Sequence, residues 1–290
     1  MQEERPTRFV VVTGASTGIG AACALECSAQ GMTVFAGVRN LEAGEALRRK
    51  KGPSIIPVLI DVTDADSIHR AAETVRLAVG SAGLSGLINN AGIAIASPLE
   101  IIPIAALRKQ FEVNVIGQVA VTQAFVPLLR LARGRIVNMG SIAGRGTIPM
   151  MGPYSASKHA LRALTDALRL ELEPWGIQVS LIEPGAIATP IWEKSLHAAL
   201  ELEETTSAEA KELYGEAARR VRETVDQAGH RAIPPEAVVR AVLHALTARR
   251  SKTRYLVGTD AKLRAVMIRW LPDRLQDWIL RKVLKLPARA

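Results

Sequence analysis

The chain predicts an α/β fold: a doubly wound parallel sheet with helices on both faces and a C-terminal helical extension. Three observations carry this. Apolar runs such as residues 8–13 are continuous rather than alternating, the pattern of strands buried on both faces. Segments long enough for helical crossovers separate these runs, as parallel strands require. The first run also passes directly into a glycine-rich loop at the head of a helix, where parallel sheets of this kind place their ligands.

Taken in order, residues 8–13 form the first strand and 19–30 a helix closed by Gly31. Residues 33–38 are the second strand, 41–51 a polar helix, 54–60 the third strand and 66–79 the next helix. The short apolar run 84–89 is a fourth strand, followed by a long helix over 103–130 with a bend expected at Pro127. Residues 135–139, 177–182 and 255–257 supply the remaining strands, about seven in all, with a helix over 154–172 between the fifth and sixth. Right-handed crossovers then wind the sheet on both sides. With no low-complexity linker and no repeat, residues 1–260 read as one catalytic domain and 261–290 as an extension.

Composition narrows the function. With 48% hydrophobic and 22% charged residues, the 290-residue chain has an ordinary globular make-up. Its net charge of +9 suggests nucleic acid, but residues 261–290 hold eight Lys/Arg against Asp273 and Asp277, which is six of those nine charges. No nucleic-acid motif accompanies them, so no nucleic-acid partner is expected. Cys23 and Cys27 lack further ligands at metal spacing and read as reduced, buried apolar residues. No metal is expected, and a reducing cytoplasm fits. The N-terminus does not read as a signal peptide. The charge-free stretch 77–99 contains Asn89, Asn90 and Pro98, which argues against a span.

The chemistry centres on residues 141–158, which hold Ser141, Tyr154 and Lys158. A four-residue spacing puts Tyr154 and Lys158 on one helix face. A cation fixed beside a phenol favours phenolate, so the tyrosine's acidity is expected to rise toward working pH and suit it to proton transfer at a carbonyl or alcohol. Taken alone, that spacing is a common accident on helices. The loop Thr13-Gly14-Ala15-Ser16-Thr17-Gly18-Ile19-Gly20 adds a second signal, because its glycines permit a tight turn against a pyrophosphate and the following helix offers free N–H groups.

Together with Asn89-Asn90-Ala91-Gly92, Asn114 and Pro184-Gly185-x-x-x-Thr189, these motifs resemble the classical short-chain dehydrogenase/reductase family, over residues 8–190. The resemblance implies a Rossmann-type domain with Tyr154 as general acid/base. Lys158 would tune the phenol and hold the nicotinamide ribose, Ser141 would bind the substrate oxygen, and Asn114 would anchor a proton-relaying water. It further implies that Gly14, Ser16, Thr17, Gly18, Ile19 and Gly20 hold the pyrophosphate side, that Asp61, Val62, Asn90, Ala91 and Gly92 line the adenosine side, and that Pro184, Gly185 and Thr189 meet the nicotinamide. Read alone, Asp61 equally suits a helix-start signal in D-V-T-D-A-D.

At the end of the second strand, Val38 stands where a carboxylate for the ribose diol would be expected, and Arg39 follows it. An arginine there can pair with a 2′-phosphate, so NADP(H) is preferred over NAD(H); a solvated loop cation is the alternative. The substrate side, Ile142, Ala143, Ile148, Met150, Met151, Ile191 and Trp192, is apolar and suits a small steroid-, retinoid- or alicyclic-like alcohol or ketone. Arg145 is the one nearby cation that could grip a carboxylate. Residues 190–232 sit where the family places a mobile lid. An acyl-thioester ketoreductase shares every motif, and a non-catalytic dinucleotide-binding protein is a remoter alternative.

The segment Arg254-Tyr255-Leu256-Val257-Gly258 and the basic amphipathic tail beyond it are similar to the branch holding 17β-hydroxysteroid and retinol dehydrogenases. That tail reads as a cover or subunit interface, a peripheral membrane anchor, or a loose end. The helices at 103–130 and 154–172 resemble the family's dimer-forming pair, which implies a homodimer or homotetramer.

Overall fold

The computed structural model describes residues 8–204 and 206–286. Seven strands form one parallel sheet in the order β3-β2-β1-β4-β5-β6-β7. They are β1 (Phe9–Val12), β2 (Thr33–Val38), β3 (Ile55–Leu59), β4 (Gly86–Asn89), β5 (Arg135–Met139), β6 (Gln178–Pro184) and β7 (Arg254–Val257). The chain runs outward from β1 to β3 and then restarts on the other side of β1 with β4. The crevice between the loops that follow β1 and β4 is therefore the switch point where such sheets bind ligands.

Side-chain alternation explains why both faces are covered. Val10 and Val12 point to a core completed by Cys23, Cys27, Val238 and Val242, while Val11 points to another completed by Phe35, Val75, Phe125 and Leu129. The first face is sealed by α1 (Gly18–Ala29) and α9 (Glu236–Thr247). The second is sealed by α3 (Ala65–Val79) and α5 (Gly117–Ala132). The polar helix α2 (Leu41–Lys51) packs near β3 at the sheet edge. Cys23 and Cys27 are free and buried, and burial pushes the Cys27 thiol up to about 12, so both act as inert packing groups.

The long helix expected over 103–130 is interrupted, but ahead of Pro127. It comprises α4 (Ile104–Phe111), a π-helical turn (Glu112–Ile116) and α5, with Pro127 inside α5. The stretch Ile104–Ala132 is long and apolar enough to cross a membrane by length and composition, yet 50% of its most apolar window is buried, as in a core helix. Helix α6 (Gly152–Glu171) follows β5, and α7 (Ile191–Glu204) and α8 (Ala208–His230) follow β6. Helix α9 lies outside the elements expected above. After β7 the chain forms α10 (Thr259–Trp270) and α11 (Asp273–Val283).

Candidate active site

The loop after β1 is shaped for close approach. Gly14 has φ 63°, a conformation that disfavours side chains. A Cβ on Gly20 would collide with the Gly14 carbonyl oxygen and with Asn90 Nδ2. Thr17 caps α1 without a side-chain hydrogen bond, so the first N–H groups of that helix stay available. The loop after β4 is tied to this cradle. Asn90 Nδ2 donates to the Thr13 and Gly14 carbonyls at 3.0 and 3.1 Å, while the backbone N–H groups of Asn90 and Ala91 donate to Thr13 Oγ1 at 3.0 Å each. Thr189 closes the far side: its Cβ and Cγ2 lie 3.3 Å from where a Cβ on Gly18 would stand. Ser16 and Thr17 are exposed at the rim.

At the neighbouring strand ends, Val38 is buried and Arg39 is exposed. Asp61 Oδ1 accepts from the Thr63 backbone N–H at 2.9 Å and its hydroxyl at 2.7 Å. These bonds, with a smaller contribution from the Arg39 charge, hold the Asp61 carboxyl below its usual range. The side chain that caps α3 is that of Asp64. Val62 is buried against the head of α5, its carbonyl oxygen 2.5 Å from where a Cβ on Gly117 would stand.

Three elements converge on the proposed catalytic groups. Ser141 leaves the end of β5 in extended conformation, and its Oγ accepts from the Ala143 N–H at 3.1 Å. From α6, Tyr154 is offered to Ser141, and Lys158 Nζ stands 5.8 Å from the centroid of the tyrosine ring. Lys158 is buried and donates to the Met139 carbonyl at 2.7 Å, which leaves two ammonium protons without an acceptor among the described residues. The π-helical turn presents Asn114, whose Oδ1 accepts from the Ile93 N–H at 2.9 Å. Its Nδ2 donates to the Ile93 carbonyl at 2.9 Å and to Ser157 Oγ at 3.1 Å, and Ser157 donates to the Tyr154 carbonyl at 2.7 Å. Gly92 completes the group, since a Cβ there would stand 3.3 Å from Asn114 Oδ1 and 3.8 Å from Lys158 Nζ.

The electrostatics differ from the expectation in one respect. Burial pushes the Tyr154 phenol up, with the Ser141 hydrogen bond opposing it, and burial brings Lys158 down to about 8. The low dielectric that would strengthen a cation's pull on phenolate first penalises both charged forms. In the protein alone, burial therefore sets the direction for the Tyr154 phenol, and the Ser141 hydrogen bond opposes it.

On the substrate side, a cavity of about 220 Å³ lies between α7, α8 and the loop after β4. Met150, Met151 and Trp192 line it, joined by Pro98, Ile101, Leu196, Tyr214 and Val221, which the sequence reading did not single out. Trp192 is held there by its indole N–H, which donates to the Ile187 carbonyl at 2.8 Å. Ala143, Ile148 and Ile191 are partly exposed outside the lining, and Tyr154 does not line the cavity. Ile142 is a correction: it is buried against Ala261 and Ala265 of α10, so the extension covers it. Arg145 is not free to grip a substrate carboxylate. It donates from Nε and Nη2 to the fully buried Glu183 at 2.8 and 2.5 Å. Met150 has φ 68°, unusual for a residue with a side chain, and its carbonyl accepts from the Ser97 N–H at 2.8 Å. Pro184 ends β6 and Gly185 follows it, beside the Ala186 N–H that donates to Asp260 at the head of α10 at 2.8 Å.

The cradle, the unspent helix N-terminus and the two uncommitted Lys158 donors suit a dinucleotide with a ribose near Lys158. The family model described as short chain dehydrogenase matches residues 8–199. The chain belongs to the short-chain dehydrogenase family. It is 38% identical over 283 residues to an NADPH-dependent 3-dehydrocapnine reductase of Ornithobacterium rhinotracheale, covering 96% of this chain and 98% of that protein. It is 37% identical to 17-beta-hydroxysteroid dehydrogenase type 6 of Bos taurus, covering 98% and 90%. A solved short chain dehydrogenase of Burkholderia cenocepacia in complex with NADP matches with a TM-score of 0.72 and 29% identity, covering 97% and 98%. The chain is thus an NAD(P)-dependent oxidoreductase of the family's steroid- and retinol-dehydrogenase-like branch, acting on CH–OH donors and their carbonyls.

Proposed function

We propose that the protein is an NADP(H)-dependent oxidoreductase acting on the hydroxyl or carbonyl group of an apolar steroid-, retinoid- or alicyclic-like substrate. The observation that carries this reading is the meeting of Ser141, Tyr154, Lys158 and Asn114 beside the glycine cradle. When bound, the nicotinamide supplies or takes up the hydride. Tyr154 gives its phenolic proton to the substrate oxygen in reduction and takes it back in oxidation, with Ser141 hydrogen-bonded to the same oxygen. The Lys158 ammonium stabilises the phenolate, and its remaining donors would hold the ribose hydroxyls of a bound cofactor. Asn114, held by Ile93 and Ser157, keeps the relay beside Lys158 in place.

The preference for NADP(H) rests on Arg39 standing exposed after a buried Val38, with no carboxylate at the end of β2. The NADPH-dependent relative and the NADP-bound neighbour support it. Arg39→Asp should reverse the preference in KM between NADPH and NADH, and equal use of NADH by the parent would refute it. For the substrate, the informative experiment is a panel of steroids, retinoids, aliphatic ketones and β-keto thioesters with NADPH. Turnover confined to the thioesters would replace this reading with an acyl-thioester ketoreductase.

We read residues 1–260 as one catalytic domain, with 190–232 as its lid over the apolar cavity and 261–290 as an extension. Exposed Ile116, Leu131 and Leu170 on the π turn, α5 and α6 support a homodimer or homotetramer. The same reading places the enzyme in the cytoplasm, with the extension in peripheral contact with a membrane.

A further inference from the structure

Helices α10 and α11 each have two apolar sides. On α10, Ala261 and Ala265 are buried against Ile142, and Ile268 reaches to 2.7 Å from where a Cβ on Gly146 would stand. The opposite side carries Leu263, Val266 and Trp270 at i, i+3 and i+7, and all three are exposed, Trp270 to 72%. Along α11, Leu284 just past its end is buried and Leu280 partly so, while Leu275, Trp278 and Val283 stand exposed. A helix that needed only to cover the catalytic domain would carry polar residues on its outer side.

What flanks these stripes selects the partner. Lys262 and Arg269 on α10, and Arg274, Arg281, Lys282 and Lys285 on or just after α11, are all exposed. Arg269 lies over the Trp270 ring at 5.5 Å. Aliphatic side chains and tryptophan flanked by lysine and arginine match the boundary of an anionic bilayer, where indole sits at headgroup depth and long cationic side chains reach the phosphates. A second copy of this chain would bring the same cations against each other.

We propose that α10 and α11 lie in the surface of an anionic membrane through Leu263, Val266, Trp270, Leu275, Trp278 and Val283, and that α10 couples this contact to the active site. The inference rests on the peripheral contact proposed above and names its face and lipid charge. The coupling follows from the other side of α10. Ala261 and Ala265 pack on Ile142, one residue after Ser141, and Asp260 binds the Ala186 N–H beside Pro184-Gly185. A docked α10 is therefore one side-chain layer from the segment that positions Ser141, which suits a substrate that partitions into lipid.

The test is co-sedimentation of the full chain with vesicles of phosphatidylcholine alone and of phosphatidylcholine mixed with phosphatidylglycerol, together with tryptophan emission. Binding to the mixed vesicles only, with a blue-shifted emission, is expected. Arg274→Glu with Lys282→Glu should weaken it by about tenfold or more. Trp270→Ser with Trp278→Ser should abolish it while leaving turnover of a water-soluble ketone unchanged. Absence of binding by the parent, or full binding by the double tryptophan variant, overturns the proposal. A parent dimer that the tryptophan variant turns into monomer, without vesicle binding, also overturns it in favour of a subunit interface. Loss of soluble-ketone turnover in the parent would instead count against the catalytic reading.

Discussion

Replacing Lys158 by methionine should change stability with a sign that depends on pH. The native pKa of Lys158 is about 8 against an ordinary 10.5, because its ammonium is buried. The native state therefore holds this proton more weakly than the unfolded chain does. The penalty is fully present below pH 8 and fades as pH rises toward 10.5. At about 1.4 kcal/mol per pH unit, the full window corresponds to roughly 3 kcal/mol. Methionine removes that penalty but also deprives the Met139 carbonyl of its 2.7 Å donor, a pH-independent loss of about 1 kcal/mol. Lys158→Met should thus be more stable than the parent by about 2 kcal/mol at pH 7 and lose that advantage by pH 10. Urea unfolding of both proteins without cofactor, at steps between those pH values, reads the difference directly. Groups common to both cancel. A stability difference that stays flat across the range would refute the assignment of a depressed, buried lysine.

Two further outcomes follow from packing and charge. Glu183→Gln leaves the Arg145 guanidinium without its buried bidentate partner, so it should lower stability by about 3 kcal/mol, whereas Arg145→Leu with Glu183→Leu should cost less. Thermal melts of the parent and the two variants give the comparison. Met150→Ile should cost about 1–2 kcal/mol by forcing a β-branched residue into a left-handed conformation, and Met150→Gly should fold as stably as the parent even though it removes a cavity wall. Denaturant midpoints separate them.

The fold was legible because its information is local. Continuous valine-rich strands and crossovers of helical length determine a parallel sheet without reference to distant residues, and all seven expected strands are present within a residue or two at most ends. The candidate site was legible for a similar reason: Tyr154 and Lys158 share a helix turn, and the glycine loop joins one strand to one helix. What escaped the sequence depends on partners far along the chain. The interruption at Glu112–Ile116 accompanies the bonds of Asn114 to Ile93 and Ser157, so the break falls there rather than at Pro127. Arg145 looked available because Glu183 lies in another strand. Ile142 looked like a substrate contact because nothing in its own segment shows α10 above it. Spacing places Lys158 beside Tyr154 but does not show the burial that raises the phenol and lowers the ammonium.

The central claim is that Tyr154 transfers the proton while the cradle holds the dinucleotide. It is tested most directly by following NADPH absorbance with an apolar ketone for the parent and Tyr154→Phe, alongside NADPH binding by fluorescence. The account predicts turnover by the parent, a loss of about 10²–10⁴-fold or more in the variant, and unchanged NADPH binding in both. Turnover by Tyr154→Phe at the parent's rate would contradict it.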